Sequence, residues 1–178
     1  MTITEALHTF YLKNNLSLDG GENDDYFHLK FKLFSLKLPN FEFRKKIVYL
    51  HDIQHILFDQ DISWKGESFI AGYEISSGMW KKIPIGFISI WAMGFSLFNY
   101  PKEVLKGYKK GLLYDGVLDM KISKEELLRL NVEEINNMLL KEKPQQFNLF
   151  TYIFWCFVSS VTFLFPFLLL LILSIYLW

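Results

Sequence analysis

The sequence predicts an all-α protein, a compact helical domain with a C-terminal transmembrane helix. Three observations support this class. All 19 basic and 19 acidic residues lie at or before Lys143, helix-capping patterns recur within that charged part, and an almost wholly apolar tail follows it. We therefore expect an N-terminal helical segment at 1–40, a larger helical domain at 41–143 and a membrane anchor at 147–178.

Composition narrows the possible functions. The formal net charge is zero and no ribbon of basic and aromatic residues is present, so we expect no nucleic-acid partner. Cys156 is the single cysteine, which excludes an internal disulfide, and we expect its thiol to be buried. Glu5 interrupts the first apolar stretch, which argues against a cleaved signal peptide and for a cytoplasmic start of the chain.

The first 40 residues contain one clear helix and one ambiguous segment. Thr2 and Glu5 have the spacing of a capping box, which predicts a helix to about Asn14. An exposed loop follows at 18–24. Residues 29–33 alternate like a half-buried strand, but leucines at 29, 33 and 36 also fit a helical face. We favour a helix, because no partner strand is evident and a lone strand cannot satisfy its edges.

The central segment is predicted as helix, tight turn, helix. Asn40 can cap a first helix from about Phe41 to Phe58. Its apolar residues form one broad side, with two histidines at the border of that side. A second helix from about Trp64 carries Glu67 in its first turn, where the helix N-terminus favours an ionised carboxylate. This arrangement could return Glu67 towards the histidines.

The next segments complete the helical domain. Residues 83–98 lack any charge but are shorter than the about 20 residues that a bilayer needs. We therefore expect a buried helix whose glycines, Gly86 and Gly94, admit close packing or an apolar ligand; a plain core helix is the simpler alternative. Pro101 suits the first turn of the next helix. Ser123 and Asn131 begin capping patterns for two short helices.

The tail has the length and composition of a membrane span. As a helix, residues 149–178 would extend about 45 Å, whereas the hydrocarbon core measures about 30 Å. We expect one tilted or Pro166-kinked span, with a re-entrant hairpin broken at Pro166 as the alternative. Lys141 and Lys143 precede the tail, so the positive-inside rule predicts a cytoplasmic domain and a single-pass C-terminal anchor.

One cluster of side chains points to metal chemistry. His51 and His55 are one helical turn apart, about 40° around the helix axis, and Asp52 lies next to them. With Glu67 they form a mixed nitrogen and oxygen set that suits zinc, iron or manganese. The alternative is a surface or capping histidine pair with ordinary charged neighbours. Glu74 is another acid within reach, although such a residue is more often solvated; His8 and His28 are isolated and receive no role.

The pattern His51-Asp52-x-x-His55, then eleven residues and Glu67, resembles the family of the fourth coenzyme Q (ubiquinone) biosynthesis protein. Residues 107–111 and 122–128 are similar to that family in order, and the resemblance covers about residues 41 to 142. The N-terminal part is shorter than in the family, and the apolar tail lies outside its pattern.

The resemblance implies a metal, usually zinc, held by the motif residues His51, Asp52, His55 and Glu67. It implies oxidative decarboxylation at ring carbon one of a polyprenylated benzoate precursor, and organisation of other quinone-biosynthesis proteins at the membrane. It also implies an apolar site for the isoprenoid chain, for which residues 83–98 are the candidate. No catalytic residue is assigned.

We therefore expect a metalloprotein that acts at the membrane on a prenylated quinone precursor. The main alternative is a non-catalytic scaffold that binds prenyl lipids and uses the metal for structure. A third is a zincin-like hydrolase, because Asp52 occupies the position of the general-base glutamate in that motif. Its side chain is one methylene shorter, so this hypothesis ranks below the other two.

Overall fold

A computed structural model of the chain describes residues 1–31 and 34–177. Within them it contains nine α-helices and one two-stranded sheet, so the all-α class is confirmed. The elements are α1 (Ile3–Lys13), β1 (Tyr26–Lys30), β2 (Ser35–Pro39), α2 (Glu42–Lys45), α3 (Val48–Leu57), α4 (Trp64–Ser77), α5 (Ile85–Asn99), α6 (Pro101–Gly111), α7 (Lys124–Arg129), α8 (Val132–Leu139) and α9 (Leu149–Tyr176).

The chain forms two compact units. The first contains Met1–Asp59 and Lys121–Met138, and the second contains Gln60–Met120 and Leu139–Trp178. The first unit thus holds α1 to α3, the strands, α7 and nearly all of α8. The second holds α4, α5, α6 and α9.

The capping box that begins α1 is confirmed. The Thr2 hydroxyl accepts a bond from the Glu5 backbone, and the Glu5 carboxylate accepts one from the Thr2 backbone at 2.8 Å. The Ile3 amide donates to the Leu130 carbonyl at 2.8 Å, which ties the start of α1 to the end of α7. The inner side of α1 is buried through Ile3, Ala6, Leu7 and Tyr11.

The helix favoured for the segment from residue 29 to residue 36 is wrong, because the chain forms an antiparallel hairpin there. β1 pairs with β2 directly after it, with Tyr26 opposite Pro39 and Leu29 opposite Leu36. The period-2 alternation was therefore the correct signal, and the missing partner strand was the next stretch of chain. Part of the alternating run, residues 32 and 33, lies outside the described residues.

The single helix predicted from Phe41 to Phe58 is divided into α2 and α3, with the break at residues 46 and 47. Asn40 does not cap it. Its side-chain amide instead donates to the carbonyls of Gly21 and Asp24, both at 2.8 Å, and its oxygen accepts a bond from Arg44. A buried amide that satisfies a loop in this way is not free to cap a helix, so Asn40 fixes the loop before β1.

In the second unit, α4 begins and ends as its sequence indicates. The Ser63 hydroxyl accepts a bond from the Gly66 backbone, and Gly78 ends the helix with φ +97 in the left-handed region. Glycines allow α4 and α6 to pack at backbone contact, since a Cβ on Gly72 would overlap the Val104 carbonyl. Pro101 occupies the first turn of α6, as predicted.

The expectation of a buried helix at residues 83–98 is only partly right. α5 forms there, but its buried side consists of small residues and one methionine: Gly86, Ser89, Met93, Gly94 and Ser96. Other side chains, such as Phe87 and Ile88, are exposed. The absence of charge was read as burial, whereas apolar side chains near both ends of α5 are exposed.

The tail forms one continuous helix, α9, with Pro166 inside it. The hairpin broken at Pro166 is therefore wrong. α9 has 28 residues, and an 18-residue window within it has a mean hydropathy of 2.5, so the helix is long and apolar enough to cross a membrane. Its first half packs against α5, and every residue from Leu164 to Leu177 is exposed.

Candidate metal centre

The first unit positions two histidines as a pair. His51 and His55 stand one turn apart on α3, and their Nε2 atoms lie 3.2 Å from each other. The ring centroids are 4.9 Å apart with an interplanar angle of 71°. His55 is buried at 1% exposure, whereas His51 is half-buried. The two imidazoles thus direct the same nitrogen, Nε2, towards one point.

This separation fits two ligands of one metal ion. Tetrahedral zinc binds histidine nitrogen at about 2.0–2.1 Å, which places two such nitrogens about 3.3 Å apart. The observed 3.2 Å needs almost no movement of either ring. The pair therefore has the spacing of a preformed bidentate site.

Glu67, the predicted oxygen donor, lies in the second unit. It lies in the first turn of α4, as predicted, where the positive end of the helix dipole stabilises a carboxylate. The histidine pair could hold a metal ion, and two nitrogens with one oxygen would suit zinc, iron and manganese alike.

Asp52, on the same helix as the two histidines, has different surroundings. It is buried, and its carboxylate accepts a hydrogen bond from the Tyr11 hydroxyl. Burial raises the pKa of Tyr11 well above its ordinary value, and the Asp52 charge and this bond raise it further. Asp52 therefore connects α3 to α1, and its role as a metal ligand stays a prediction.

Sequence reasoning missed three residues around this group. The Phe10 ring lies 5.9 Å from the His55 ring and covers it. Tyr11 holds Asp52, as described above. Gly20 has φ +65, and a Cβ there would come within 2.6 Å of the Tyr11 hydroxyl and 2.9 Å of Asp52 Oδ2. The one available signal was the Asp-Gly-Gly turn. Such a turn is typical of a positive φ, but it does not indicate which side chains lie beside the glycine.

The other candidates have ordinary surroundings. Glu74 is buried rather than solvated, and the Ser89 hydroxyl donates to it at 2.5 Å. His8 and His28 are exposed on the surface. Cys156 is half-buried rather than fully buried.

The apolar tunnel expected along residues 83–98 stays a prediction. A cavity of about 250 Å³ in the second unit takes its lining from α4, α6, α9 and the segments beside them, with no residue of α5. Serine, amide and lysine side chains line it together with Trp80 and Trp155. Its mixed lining differs from the apolar walls expected of an isoprenoid site.

Comparison with known proteins adds no relative: no family model matches the chain, and neither a curated protein nor a solved structure does.

Proposed function

We propose that this chain is a membrane-anchored metalloprotein of the coenzyme Q biosynthesis type. His51, His55 and Glu67 bind one divalent cation, and the protein acts on a prenylated aromatic acid at the bilayer. The observation that carries the proposal is the histidine pair on α3, in which the Nε2 atoms of His51 and His55 lie 3.2 Å apart.

Zinc is the ion that the resemblance implies, and the donor set is compatible with it as well as with iron and manganese. Two histidine nitrogens and one carboxylate form a common three-ligand set of catalytic zinc sites, in which the fourth position is left for water or substrate. Asp52 is the remaining predicted ligand, and its bond to Tyr11 also gives it a positioning role on α3. Zinc bound here would supply Lewis-acid chemistry, whereas activation of dioxygen would require a redox-active ion such as iron or manganese.

The reaction class comes from the resemblance of the motif. In oxidative decarboxylation at ring carbon one, the bond from that carbon to the carboxyl group breaks, carbon dioxide leaves and a hydroxyl group takes its place. Dioxygen supplies the new oxygen atom, and a two-electron donor with two protons reduces the other atom to water. His51, His55 and Glu67 would hold the site where the ring acid is positioned.

The tail accounts for the location. α9 would anchor the protein in the bilayer, where a prenylated precursor also resides. Lys141 and Lys143 directly precede α9, which favours a cytoplasmic position for the remainder of the chain. Other quinone-biosynthesis proteins at the same membrane are the expected partners.

Metal content tests the site directly. We expect the detergent-purified chain to contain one equivalent of metal, mainly zinc, by elemental analysis. The double variant His51→Ala/His55→Ala should lose it, because Glu67 alone binds weakly. His8→Ala is the matched control, since His8 is an exposed histidine on another helix. Equal metal in the double variant and the control would refute the proposed site.

Turnover separates catalysis from scaffolding. The metal-loaded chain should decarboxylate a prenylated hydroxybenzoate in vesicles with dioxygen and a reductant, and chelation should abolish the reaction. Full activity after complete chelation would refute metal-dependent catalysis. If neither form reacts but both retain the prenyl lipid, the non-catalytic scaffold is the correct function.

A further inference from the structure

The part of α9 that follows its contacts with α5 is too short to cross a bilayer. The last α9 residue with a described ring contact to α5 is Phe163, and the exposed stretch Leu164–Leu177 has 14 residues. At about 1.5 Å per residue this stretch extends about 21 Å. A hydrocarbon core measures about 30 Å. If α9 crosses the membrane, part of its α5-packed half must therefore enter it as well.

Aromatic residues on α9 indicate the same depth. Trp155 and Tyr176 are 21 residues apart, which corresponds to about 31 Å along a helix. Tryptophan and tyrosine are enriched at the two membrane interfaces, about one bilayer apart. This spacing places one interface near Trp155, so Ser159 and Phe163 lie on the membrane side of it.

α5 contacts α9 on that membrane side. A Cβ on Gly94 would overlap the Ser159 carbonyl, so the two backbones touch. The rings of Trp91 and Phe98 lie 5.4 Å and 5.8 Å from the Phe163 ring. Small residues that admit close backbone approach are typical of helix pairs in membranes, where packing rather than water exclusion drives association.

The exposed apolar residues of α5 are Phe87, Ile88 and Phe98 near its two ends, and residues 89–97 between them are buried or half-buried. Phe87 and Phe98 are each 60% exposed and flank the Gly94 contact along the helix. On the neighbouring half of α9, Phe154 and Phe157 are 56% and 67% exposed. Exposure of these apolar side chains to water is unfavourable. On a helix pair beside a membrane span, such a surface fits contact with lipid.

Charged residues limit the depth. Lys81 and Lys82 precede α5, and Lys102 follows it within the first turn of α6. Lysines can reach the headgroups from the edge of the hydrocarbon but are costly near its centre. α5 would thus lie in the outer part of one leaflet, the position typical of interfacial helices.

We propose that α5 is a second membrane-contacting element. Together with the first half of α9 it enters the outer part of one leaflet, through the exposed residues Phe87, Ile88 and Phe98. This inference rests on the proposed anchoring by α9 but not on the metal or the reaction. It makes the bilayer, rather than a second copy of the chain, the occupant of this apolar face.

Spin labels on the full chain test the proposal in vesicles of phosphatidylcholine with phosphatidylglycerol. A Cys156→Ser background carries one label at a time through Phe87→Cys, Ile88→Cys, Leu170→Cys or Lys13→Cys. Leu170 reports the anchor, and Lys13 is an exposed charged position on α1. Labels at residues 87, 88 and 170 should collide more often with oxygen, which dissolves in lipid, than with a water-soluble nickel chelate. The label at residue 13 should collide more often with the nickel chelate.

The outcomes separate the two proposals. Water-like labels at residues 87 and 88 beside a lipid-like label at 170 would overturn the role of α5 and leave the anchor intact. A water-like label at 170 would overturn both. Dipolar broadening between labels at residue 88, with little access to oxygen or nickel, would assign the face to a second copy and also overturn the proposal.

Discussion

At the scale of single residues, a side chain added at Gly20 would directly disturb the surroundings of the histidine pair. The φ of +65 at Gly20 costs a residue other than glycine about 1–2 kcal/mol. A Cβ would also push against the Tyr11 hydroxyl and Asp52 Oδ2. We expect Gly20→Ala to lower the free energy of unfolding by more than this backbone cost, measured by chemical denaturation in detergent.

Gly21 is the matched control for that substitution. It has a similar φ of +79, but its nearest neighbour to an added Cβ is the exposed Asp24 carboxylate at 3.2 Å. Gly21→Ala therefore carries the backbone cost with little displacement of the Tyr11 and Asp52 pair. Equal losses in the two variants would show that the contact at Gly20 contributes nothing beyond backbone strain.

Asp19, in the same loop, provides a pH-dependent test. Burial acts to raise its pKa, but bonds from the Gly21 backbone and from the Asn23 side chain and backbone outweigh it and lower the pKa to about 2. Because the folded pKa lies below the unfolded value of about 3.9, Asp19 stabilises the fold above that pH. This stabilisation is lost as the pH falls from about 4 to 2.

We expect the loss of stability between about pH 5 and about pH 2.5 to be smaller in Asp19→Asn than in the unmodified chain, because this range crosses the unfolded pKa of about 4 and approaches the folded pKa of about 2. Thermal unfolding followed by circular dichroism measures it. Asn23→Ala, which removes one of the bonds to Asp19, should give an intermediate result. An unchanged pH dependence in Asp19→Asn would contradict the role assigned to these bonds.

At the scale of elements, local signals predicted well those structures that depend on neighbouring residues. The capping box at Thr2 and Glu5 formed as expected, and α4 begins at Trp64, where the second central helix was predicted to start. The hairpin was missed because a period-2 run fits a strand only if a partner is found, and the partner lay across a turn of a few residues. Asn40 was misassigned because its tertiary acceptors, the Gly21 and Asp24 carbonyls, leave no local trace in the sequence.

Gly94 tests the packing of α5 on α9. Replacing glycine by alanine within a helix normally adds up to about 1 kcal/mol of stability through helix propensity. Here the added Cβ would overlap the Ser159 carbonyl, so we expect Gly94→Ala to lower stability instead. Thermal unfolding in detergent measures the sign. A stabilised variant would show that α5 and α9 do not meet at this point.

At the scale of the whole molecule, the division between predicted and unpredicted features follows how far apart the partners lie in the sequence. The histidine pair could be predicted because one helical turn fixes its spacing, and Glu67 because it begins the next helix. Phe10 and Tyr11 could not, since only folding brings α1 to α3. The tail was predicted by composition alone, whereas the exposed apolar side chains of α5 needed the structure.

Metal binding should stabilise the whole folded chain. A ligand that binds only the native state adds stability that grows with its concentration, about 2.7 kcal/mol at 100 times its dissociation constant. We therefore expect the unfolding temperature of the detergent-solubilised chain to rise with added zinc and to fall after chelation. His51→Ala/His55→Ala should unfold at the same temperature with and without zinc, while His8→Ala should respond like the unmodified chain. A zinc-dependent rise of equal size in the double variant would place the stabilising metal somewhere other than His51, His55 and Glu67.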